Sequence, residues 1–423
     1  MKNKLLAVFL VLITVSTLSA CRISPFKFIR NDENLPISDS TQYIEVDSDL
    51  AAPNLYSKTD PENYFKLSTL SLPQQSLYKS FVDNIIHFKN FVEVSNCNLN
   101  KDEIMAVFNA VRTDYPQFFW VDRTLTNLQN GDGVIKAVSL HYCDGTNIDK
   151  VAISGQRIYI DSPADRNEII DRIEKFNTAI DGYVSDIPSD ITDAQKELIL
   201  HDLVINNLVY DDEAAALIND ENSSPAYNSY GAACDKLAVC EGYSKLFQYL
   251  CYRVGLNCTS VSGTAKSETD GGTVNHMWNA VCIENEWYMV DTTWDDSVEN
   301  MPYYHYFNIT TDELLKDHTI DPYDTNIPKC NSDKFSKFNT AVLYAENSNT
   351  MPKNYISILN RIERNGLEYC IVYNGTAEDN NKFLNKILSK NSEFVKYVNK
   401  NCSFKLSTDN IKIVDKYLYI PVK

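Results

Sequence analysis

The chain has 423 residues, enough for two or three domains with ordinary hydrophobic cores. Its composition, 44% hydrophobic and 11% aromatic, is typical of a globular protein and excludes a largely disordered one. The formal net charge is −18, and basic residues form no run beyond short pairs. Nucleic acid is therefore not expected as a partner, because phosphate contacts require clustered Lys and Arg.

The first 20 residues have the pattern of an export signal. Lys2 and Lys4 precede an apolar run, residues 5–13, that is too short to span a membrane stably. The following Leu18-Ser19-Ala20-Cys21 resembles the lipobox of bacterial lipoproteins. That resemblance implies cleavage after residue 20, lipidation of Cys21 and attachment to the extracytoplasmic face of the cell membrane. The alternative is an ordinary secretory signal.

Two regions are expected between this signal and the central part of the chain. Residues 21–62 are rich in Asp, Ser, Pro and Asn without sustained periodicity, which predicts a tether. Residues 63–190 are predicted to form an N-terminal α+β region. Its predicted elements are two helices within 73–121, strands near 134–142 and 157–160, and helical sequence from 164 onward, with a helix cap at 191–193.

A helix is predicted directly after Cys240. Apolar side chains recur at helical spacing from Tyr243 to Val254, and Gly255 is a typical residue for ending a helix. Cys240 is therefore expected at the helix N-terminus, where unpaired backbone N–H groups and the helix dipole favour a thiolate. A cysteine at a helix N-terminus is predicted to be a nucleophile, because a buried structural cysteine gains nothing from a position that stabilises its thiolate.

A β-hairpin is predicted from His276 to Thr293. A two-residue turn at Glu284-Asn285 places Asp291 opposite Trp278 and diagonal to His276, on one face of the hairpin. Such neighbours are close enough for an imidazole–carboxylate hydrogen bond. Asp291 is thus expected to orient His276.

The segments AVCEGYSKLF, NHMWNAV and WYMVDTTWDD occur in that order, flanked by HDLVINNLVYD and YYHYFNIT. Together they resemble the transglutaminase-like superfamily, in particular its bacterial exported members. The resemblance implies an α+β fold with a papain-like core, in which the nucleophile helix packs on an antiparallel sheet. It also implies a catalytic triad, with Cys240 as nucleophile, His276 as base and Asp291 as orienting carboxylate. The predicted catalytic domain is residues 191–324.

The implied enzyme attacks an amide of a peptide or protein through Cys240 and forms a thioester. Hydrolysis is slightly favoured over transfer to an amine, which would make the protein a crosslinking acyltransferase. A third alternative is a non-catalytic adhesion or scaffolding lipoprotein that keeps the fold for binding. Tyr210 is a candidate for a second oxyanion donor.

No cofactor or metal is expected. The eleven cysteines show no CxxC pair, and no close Cys or His pairs suggest a structural zinc site. Asp295 and Asp296 invite a calcium hypothesis, but the remaining oxygen ligands are not identifiable. Residues 325–423 are predicted to form a small C-terminal α/β domain of accessory role, because no reactive constellation occurs there.

Overall fold

The structure is a computed structural model, and it describes most of residues 34–336 and parts of 342–422. In the first range it leaves out residues 48, 54, 56, 188, 190–191, 217–223, 267–271, 297–303 and 325. In the second range it describes residues 342–345, 356, 359, 362, 369–374, 380–409, 411–414 and 417–422. The predicted export signal and Cys21 lie outside the described residues.

The N-terminal part packs helices against a four-stranded sheet. Its elements are β1 (Asn34–Pro36), β2 (Gln42–Ile44), α1 (Phe65–Ser68), α2 (Leu72–Ile86), β3 (Phe91–Glu93), α3 (Lys101–Asp114), β4 (Val121–Gln129), β5 (Ile135–Tyr142), β6 (Lys150–Ser154), β7 (Arg157–Asp161) and α4 (Arg166–Val184). The main sheet has the order β1-β4-β5-β3, and β2, β7 and β6 form a second sheet. Phe81 of α2, Phe108 of α3 and the fully buried Trp120 share one hydrophobic core. The helices and strands predicted for this part are confirmed.

Part of the predicted tether is folded instead. β1 pairs in parallel with β4, and β2 pairs in parallel with β7. Near the end of the same stretch, the Thr59 hydroxyl donates a hydrogen bond of 2.9 Å to the Leu256 carbonyl. The tether prediction was wrong for these residues. Strands of three residues are too short to show a periodic pattern, and their pairing depends on distant strands.

The central part places one long helix against an antiparallel sheet. Its elements are α5 (Asp193–Asn207), β8 (Val209–Tyr210), α6 (Asp212–Ala216), β9 (Leu237–Ala238), α7 (Cys240–Val254), β10 (Asn257–Lys266), β11 (Thr273–Ile283), β12 (Glu286–Val290), α8 (Thr292–Asp295), α9 (Thr311–Leu314) and β13 (His318–Ile320). A short 3-10 helix at Pro225–Tyr227 and a π-helical turn at Gly231–Asp235 precede β9. The sheet order is β12-β11-β10-β13, and all its pairs are antiparallel. This arrangement confirms the α+β class and the helix packed on an antiparallel sheet.

Local sequence explains where these elements begin and end. Thr192 caps α5, and Gln195 completes a capping box, as the cap predicted at 191–193 requires. Gly255 ends α7 with a φ of 91°, a left-handed conformation that favours glycine. Glu284 and Asn285 both have positive φ, 50° and 66°, as a two-residue hairpin turn demands. The predicted hairpin register is confirmed.

The C-terminal part contains a separate hydrophobic cluster. Its described elements are β14 (Val342–Ala345), β15 (Tyr369–Asn374), α10 (Asn380–Ile387), α11 (Glu393–Asn401), β16 (Lys412–Val414) and β17 (Tyr417–Pro421). The strands form a mixed sheet of order β14-β15-β17-β16. Phe383 and Phe394 of the two helices are buried in the same cluster as Cys370, Val372 and Leu418 of the sheet. The described residues contain both helices and strands, as the predicted α/β type requires, whereas the predicted domain boundaries and accessory role stay predictions.

Among the described residues, no helix combines the length and apolar character needed to cross a membrane.

Candidate active site

Cys240 is the first residue of α7, as the sequence predicts. Val239 is the N-cap residue with extended backbone angles, so the unpaired N–H groups of the first turn lie at the same end of α7 as Cys240. Cys240 is only 2% exposed and lies in a small cluster with Ala214, Ala226 and the ring of Tyr227. The thiol therefore combines a helix N-terminus with a largely dry environment.

Two hydrogen bonds fix α7 on β11 beside His276. The Ser244 hydroxyl donates to the Met277 carbonyl at 2.8 Å, and the Asn279 amide donates to the Ser244 carbonyl at 3.0 Å. Cys240 precedes Ser244 by four residues, so both lie on one face of the helix, about 6 Å apart along its axis. Because Met277 follows His276 in the strand, these bonds place the first turns of α7 against the part of β11 that contains His276.

His276 and Asp291 form the hydrogen bond that the hairpin register predicts. The distance from His276 Nε2 to Asp291 Oδ2 is 2.6 Å, and both side chains are buried. An ionised carboxylate only accepts hydrogen bonds, so His276 donates through Nε2. The imidazole is thereby fixed in one tautomer, with Nδ1 as the ring nitrogen left to exchange a proton with a nucleophile.

Asp291 is held as a carboxylate by a complete set of donors. Its Oδ1 accepts backbone N–H groups of Thr293 and Trp294 at 3.0 and 3.1 Å, because Asp291 is also the N-cap of α8. Burial alone would raise the pKa of Asp291, but the charges and hydrogen bonds of His276 and His318 hold it well below its usual range. Asp291 is therefore a stable negative charge at neutral pH.

His318 is a member of the site that the sequence analysis missed. Its Nε2 donates to Asp291 Oδ2 at 3.3 Å, and its Nδ1 donates to Asp317 Oδ1 at 2.5 Å. Burial by itself would lower the pKa of His318, but the hydrogen bonds to both carboxylates raise it to about 9. His318 is therefore an imidazolium at neutral pH, and it shares the Asp291 oxygen that binds His276.

A glycine leaves room for the Trp278 ring beside the imidazoles of His276 and His318. Gly263 of β10 pairs with His276 on one side and with Ile320 of β13 on the other. A Cβ atom at Gly263 would lie 2.6 Å from the Trp278 ring and 2.1 Å from the Thr319 carbonyl oxygen. The absence of a side chain thus leaves room for Trp278, which lies beside both imidazoles.

His276, Asp291 and His318 are also the one group of described residues with metal-ligand geometry. Their ligand atoms lie within 4.8 Å of one another, and all three side chains are buried. However, the 2.6 Å between His276 Nε2 and Asp291 Oδ2 is a hydrogen-bond distance. Two ligands at about 2.1 Å from one tetrahedral metal are roughly 3.4 Å apart. The geometry as it stands fits a hydrogen-bonded cluster better than a metal site.

The carboxylates that invite a calcium hypothesis have partners within the protein. Asp295 Oδ2 lies 3.1 Å from His201 Nε2, and its Oδ1 accepts the Tyr306 N–H at 2.9 Å. Asp296 accepts the Tyr243 hydroxyl at 2.5 Å. These contacts fix α5 and α7 to the segment after β12, so the two carboxylates have a structural role.

Comparisons with known proteins agree with the motif-based resemblance. Residues 182–292 match the family model of the transglutaminase-like superfamily. Kyphoscoliosis peptidase of Homo sapiens is 28% identical over 124 residues, which cover 28% of this chain and 18% of that protein. Its Mus musculus counterpart is 31% identical over 97 residues, which cover 22% of this chain and 14% of that protein.

The chain therefore spans less than a fifth of the length of these relatives. A solved structure described as a TGase overlaps 55% of this chain and 61% of its own, with 13% identity and a TM-score of 0.27. The family match contains Cys240, His276 and Asp291, whereas His318 lies beyond its end. The predicted resemblance is confirmed for this segment.

Proposed function

From the transglutaminase-like segment at residues 182–292, we propose that this protein is a thiol enzyme that acts on amide bonds of peptides or proteins. The observation that carries the proposal is the His276–Asp291 hydrogen bond, because His276 lies on the strand to which the helix beginning at Cys240 is hydrogen-bonded. Together with Cys240 at the start of α7, this pair supplies a nucleophile, a proton carrier and an orienting carboxylate, the three groups that nucleophilic catalysis requires.

In the first half of the reaction, the Cys240 sulfur attacks the amide carbonyl carbon, and its proton passes to Nδ1 of His276. Backbone N–H groups at the start of α7 stabilise the oxyanion. The carbon–nitrogen bond then breaks, and the departing amine takes the proton from His276. A thioester with Cys240 remains, and Asp291 stabilises the transient imidazolium without accepting its proton.

In the second half, a nucleophile attacks the thioester while His276 accepts its proton. Water gives a carboxylic acid and restores the thiol, which is hydrolysis, the outcome we propose. A primary amine would give a new amide and make the protein a crosslinking acyltransferase. The low exposure of Cys240 favours this second candidate, because an acyltransferase must shield its thioester from water.

The test is product analysis by mass spectrometry. A glutamine-containing protein is incubated with the enzyme and an isotopically labelled primary amine, with Cys240→Ala as the control. Backbone cleavage without amine incorporation supports the hydrolase, and incorporation at glutamine supports the acyltransferase. If the wild-type protein and Cys240→Ala give the same products, neither enzyme is present, and a binding or scaffolding function replaces the proposal.

We also propose that the protein is held on the extracytoplasmic face of the cell membrane through lipid on Cys21. The support is the sequence Leu18-Ser19-Ala20-Cys21 after a short apolar run. Replacing Cys21 with Ala is expected to move the protein from the membrane fraction to the soluble fraction. Unchanged membrane retention would rule out the lipid attachment.

A further inference from the structure

A cavity of about 480 Å³ lies between the N-terminal part and the nucleophile helix. Its volume is in the range of ordinary ligand sites. Five basic residues line it, although the chain as a whole has a net charge of −18. They are Arg112, Arg123, Lys150, Arg172 and Lys245. Such a concentration of positive charge in an acidic protein predicts an anionic ligand.

The cavity is adjacent to the candidate nucleophile. Lys245 belongs to α7, and its Nζ lies 2.7 Å from the carboxylate of Glu241, the residue after Cys240. Arg123 of β4 reaches the other oxygen of Glu241 at 2.7 Å. Tyr227 lines the cavity and also packs in the cluster that contains Cys240. A ligand in the cavity would therefore be separated from the Cys240 thiol by the side chain of Tyr227 and by the ion pairs of Glu241.

The positive charges exceed the negative charges around this cavity. Arg123 and Lys245 share the single carboxylate of Glu241, and Asp122 uses its Oδ1 for hydrogen bonds from Thr124. Arg112 has no ion pair with any carboxylate that the structure describes. Burial, with a smaller effect of Arg123, lowers the pKa of Arg112 to about 10, so Arg112 still carries its charge at neutral pH. Arg112 is thus available for an incoming anion.

We propose that this cavity binds a carboxylate of the peptide substrate, on a side chain or at the C-terminus, and gives the enzyme a preference for peptides that carry this carboxylate. Guanidinium groups bind carboxylates through paired hydrogen bonds, and Arg112 and Arg123 supply two such groups in one cavity. The ring of Tyr227 offers an apolar surface between this carboxylate and Cys240. The choice of a peptide as ligand rests on the proposed function, whereas the choice of a carboxylate rests on the cavity itself.

The test measures binding, so that it is independent of turnover. Fluorescent peptides are titrated into the full chain carrying Cys240→Ala, and anisotropy gives the dissociation constants. One peptide has an internal Glu and an amidated C-terminus, a second has Gln and a free C-terminus, and a third has Gln and an amidated C-terminus. We expect one of the two carboxylate peptides to bind at least about tenfold more tightly than the third, as for a charged hydrogen bond. The peptide that does so identifies the carboxylate as side chain or C-terminus.

Three further substitutions decide whether the cavity causes the tighter binding of the carboxylate peptide. Arg112→Gln is expected to remove the tenfold preference, and Arg112→Lys is expected to retain most of it. The matched control is Lys79→Gln, which removes the same charge from an exposed position outside the cavity and is expected to change nothing. Thermal unfolding of each variant confirms that it is folded. Equal affinity for all three peptides, or a preference that survives Arg112→Gln, overturns the inference.

The result also separates this inference from the proposed function. Selective binding that depends on Arg112, together with no turnover by the wild-type protein, supports the carboxylate site and contradicts the enzyme. Turnover that depends on Cys240, without any preference for either of the two carboxylate peptides, supports the enzyme and contradicts the carboxylate site.

Discussion

His276 and His201 are both buried histidines with an aspartate partner just after β12, yet their surroundings differ. His201 lies between two carboxylates, with Nδ1 3.1 Å from Asp202 and Nε2 3.1 Å from Asp295. His276 has a single carboxylate partner among the described residues, Asp291, which binds Nε2. A histidine engaged by carboxylates on both nitrogens is a fixed charge. A histidine engaged on one nitrogen keeps the other for proton transfer.

The two clusters therefore have different expected roles. Burial alone would lower the pKa of His201, but hydrogen bonds to Asp202 and Asp295 raise it to about 9. His201 is thus an ion-paired cation that joins α5 to the segment after β12. His318 resembles His201 in this respect, because it also contacts two carboxylates, and its pKa is likewise raised to about 9. We expect substitutions at His201 to affect stability and substitutions at His276 to affect catalysis.

The largest expected effect follows from replacing the reactive groups. Cys240→Ala is expected to abolish covalent turnover, because no other described cysteine begins a helix that is hydrogen-bonded to the strand of His276. His276→Ala is expected to lower kcat by about 10²–10⁴, the usual contribution of a positioned acid–base group. Cys240→Ala is expected to unfold near the wild-type temperature, and His276→Ala is expected to lower the unfolding temperature less than His201→Ala, because His318 and two backbone N–H groups still bind Asp291. Steady-state kinetics with thermal unfolding measures both properties, and wild-type rates in Cys240→Ala would end the proposed mechanism.

His201→Ala is expected to lower the stability of the protein and to leave kcat nearly unchanged. Removing this imidazole leaves Asp295 buried without its charged partner, and breaking a buried ion pair typically costs about 3–5 kcal/mol. Urea unfolding is expected to show this loss, while the folded fraction retains kcat within a few-fold of wild type. A fully stable but inactive His201→Ala protein would show that the assignment of roles to the two histidines is reversed.

Asp291 and Asp295, the partners of His276 and His201, provide a second test of the difference between a catalytic and a structural histidine. Asp291→Asn is expected to leave weak activity, because the amide can still contact His276 but does not stabilise the imidazolium. Asp295→Asn is expected to lower stability and to leave catalysis largely intact, since its partner is His201. The measurement is kcat at saturating substrate for both variants, with the free energy of unfolding measured in parallel. Equal loss of kcat in both variants would contradict the distinction.

The pH dependence of stability provides a further test at His201. Its pKa in the folded protein is about 9, above the ordinary 6.5, so folding favours the protonated form. The stability that this shift provides is complete below pH 6.5 and is lost as pH rises toward 9. The difference in unfolding free energy between wild type and His201→Gln should therefore be larger at pH 6 than at pH 9. A difference that grows with pH would contradict the raised pKa.

The smallest expected effect concerns His318, which acts on the reaction only through Asp291. His318→Gln is expected to lower kcat by about tenfold, the effect of one charge-assisted hydrogen bond, with little change in KM. The same substitution in a His276→Ala background is expected to lower kcat no further, because Asp291 then has no imidazole to orient. An additional tenfold loss in that background would show a separate role for His318.

The sequence was sufficient to predict the parts of the site that depend on local pattern. The helix after Cys240 follows from its apolar spacing and Gly255, and the contact of His276 with Asp291 follows from a two-residue turn at Glu284. These elements are close in sequence, so register alone brings the side chains together.

The sequence was not sufficient for contacts between distant elements. His318 reaches Asp291 because β13, a strand of three residues, pairs with β10, where Ala265 faces His318. Nothing local in the sequence specifies that register, and a lone histidine gives no periodic signal. For the same reason, the pairing of Arg123 with Glu241 across the cavity was not anticipated, since it joins residues from two separate parts of the chain.

The most direct test of the central claim, that Cys240 is a nucleophile activated by His276, compares two thiols in one sample. Cys234 is the internal reference, since it is more exposed than Cys240, and burial together with Asp235 raises its pKa to about 11. The native protein is treated with iodoacetamide between about pH 5 and 9, and mass spectrometry follows both sites. The account predicts that Cys240 is alkylated faster than Cys234 at neutral pH and that His276→Ala removes this advantage. Slower alkylation of Cys240 than of Cys234 at every pH, unchanged by His276→Ala, would contradict the account.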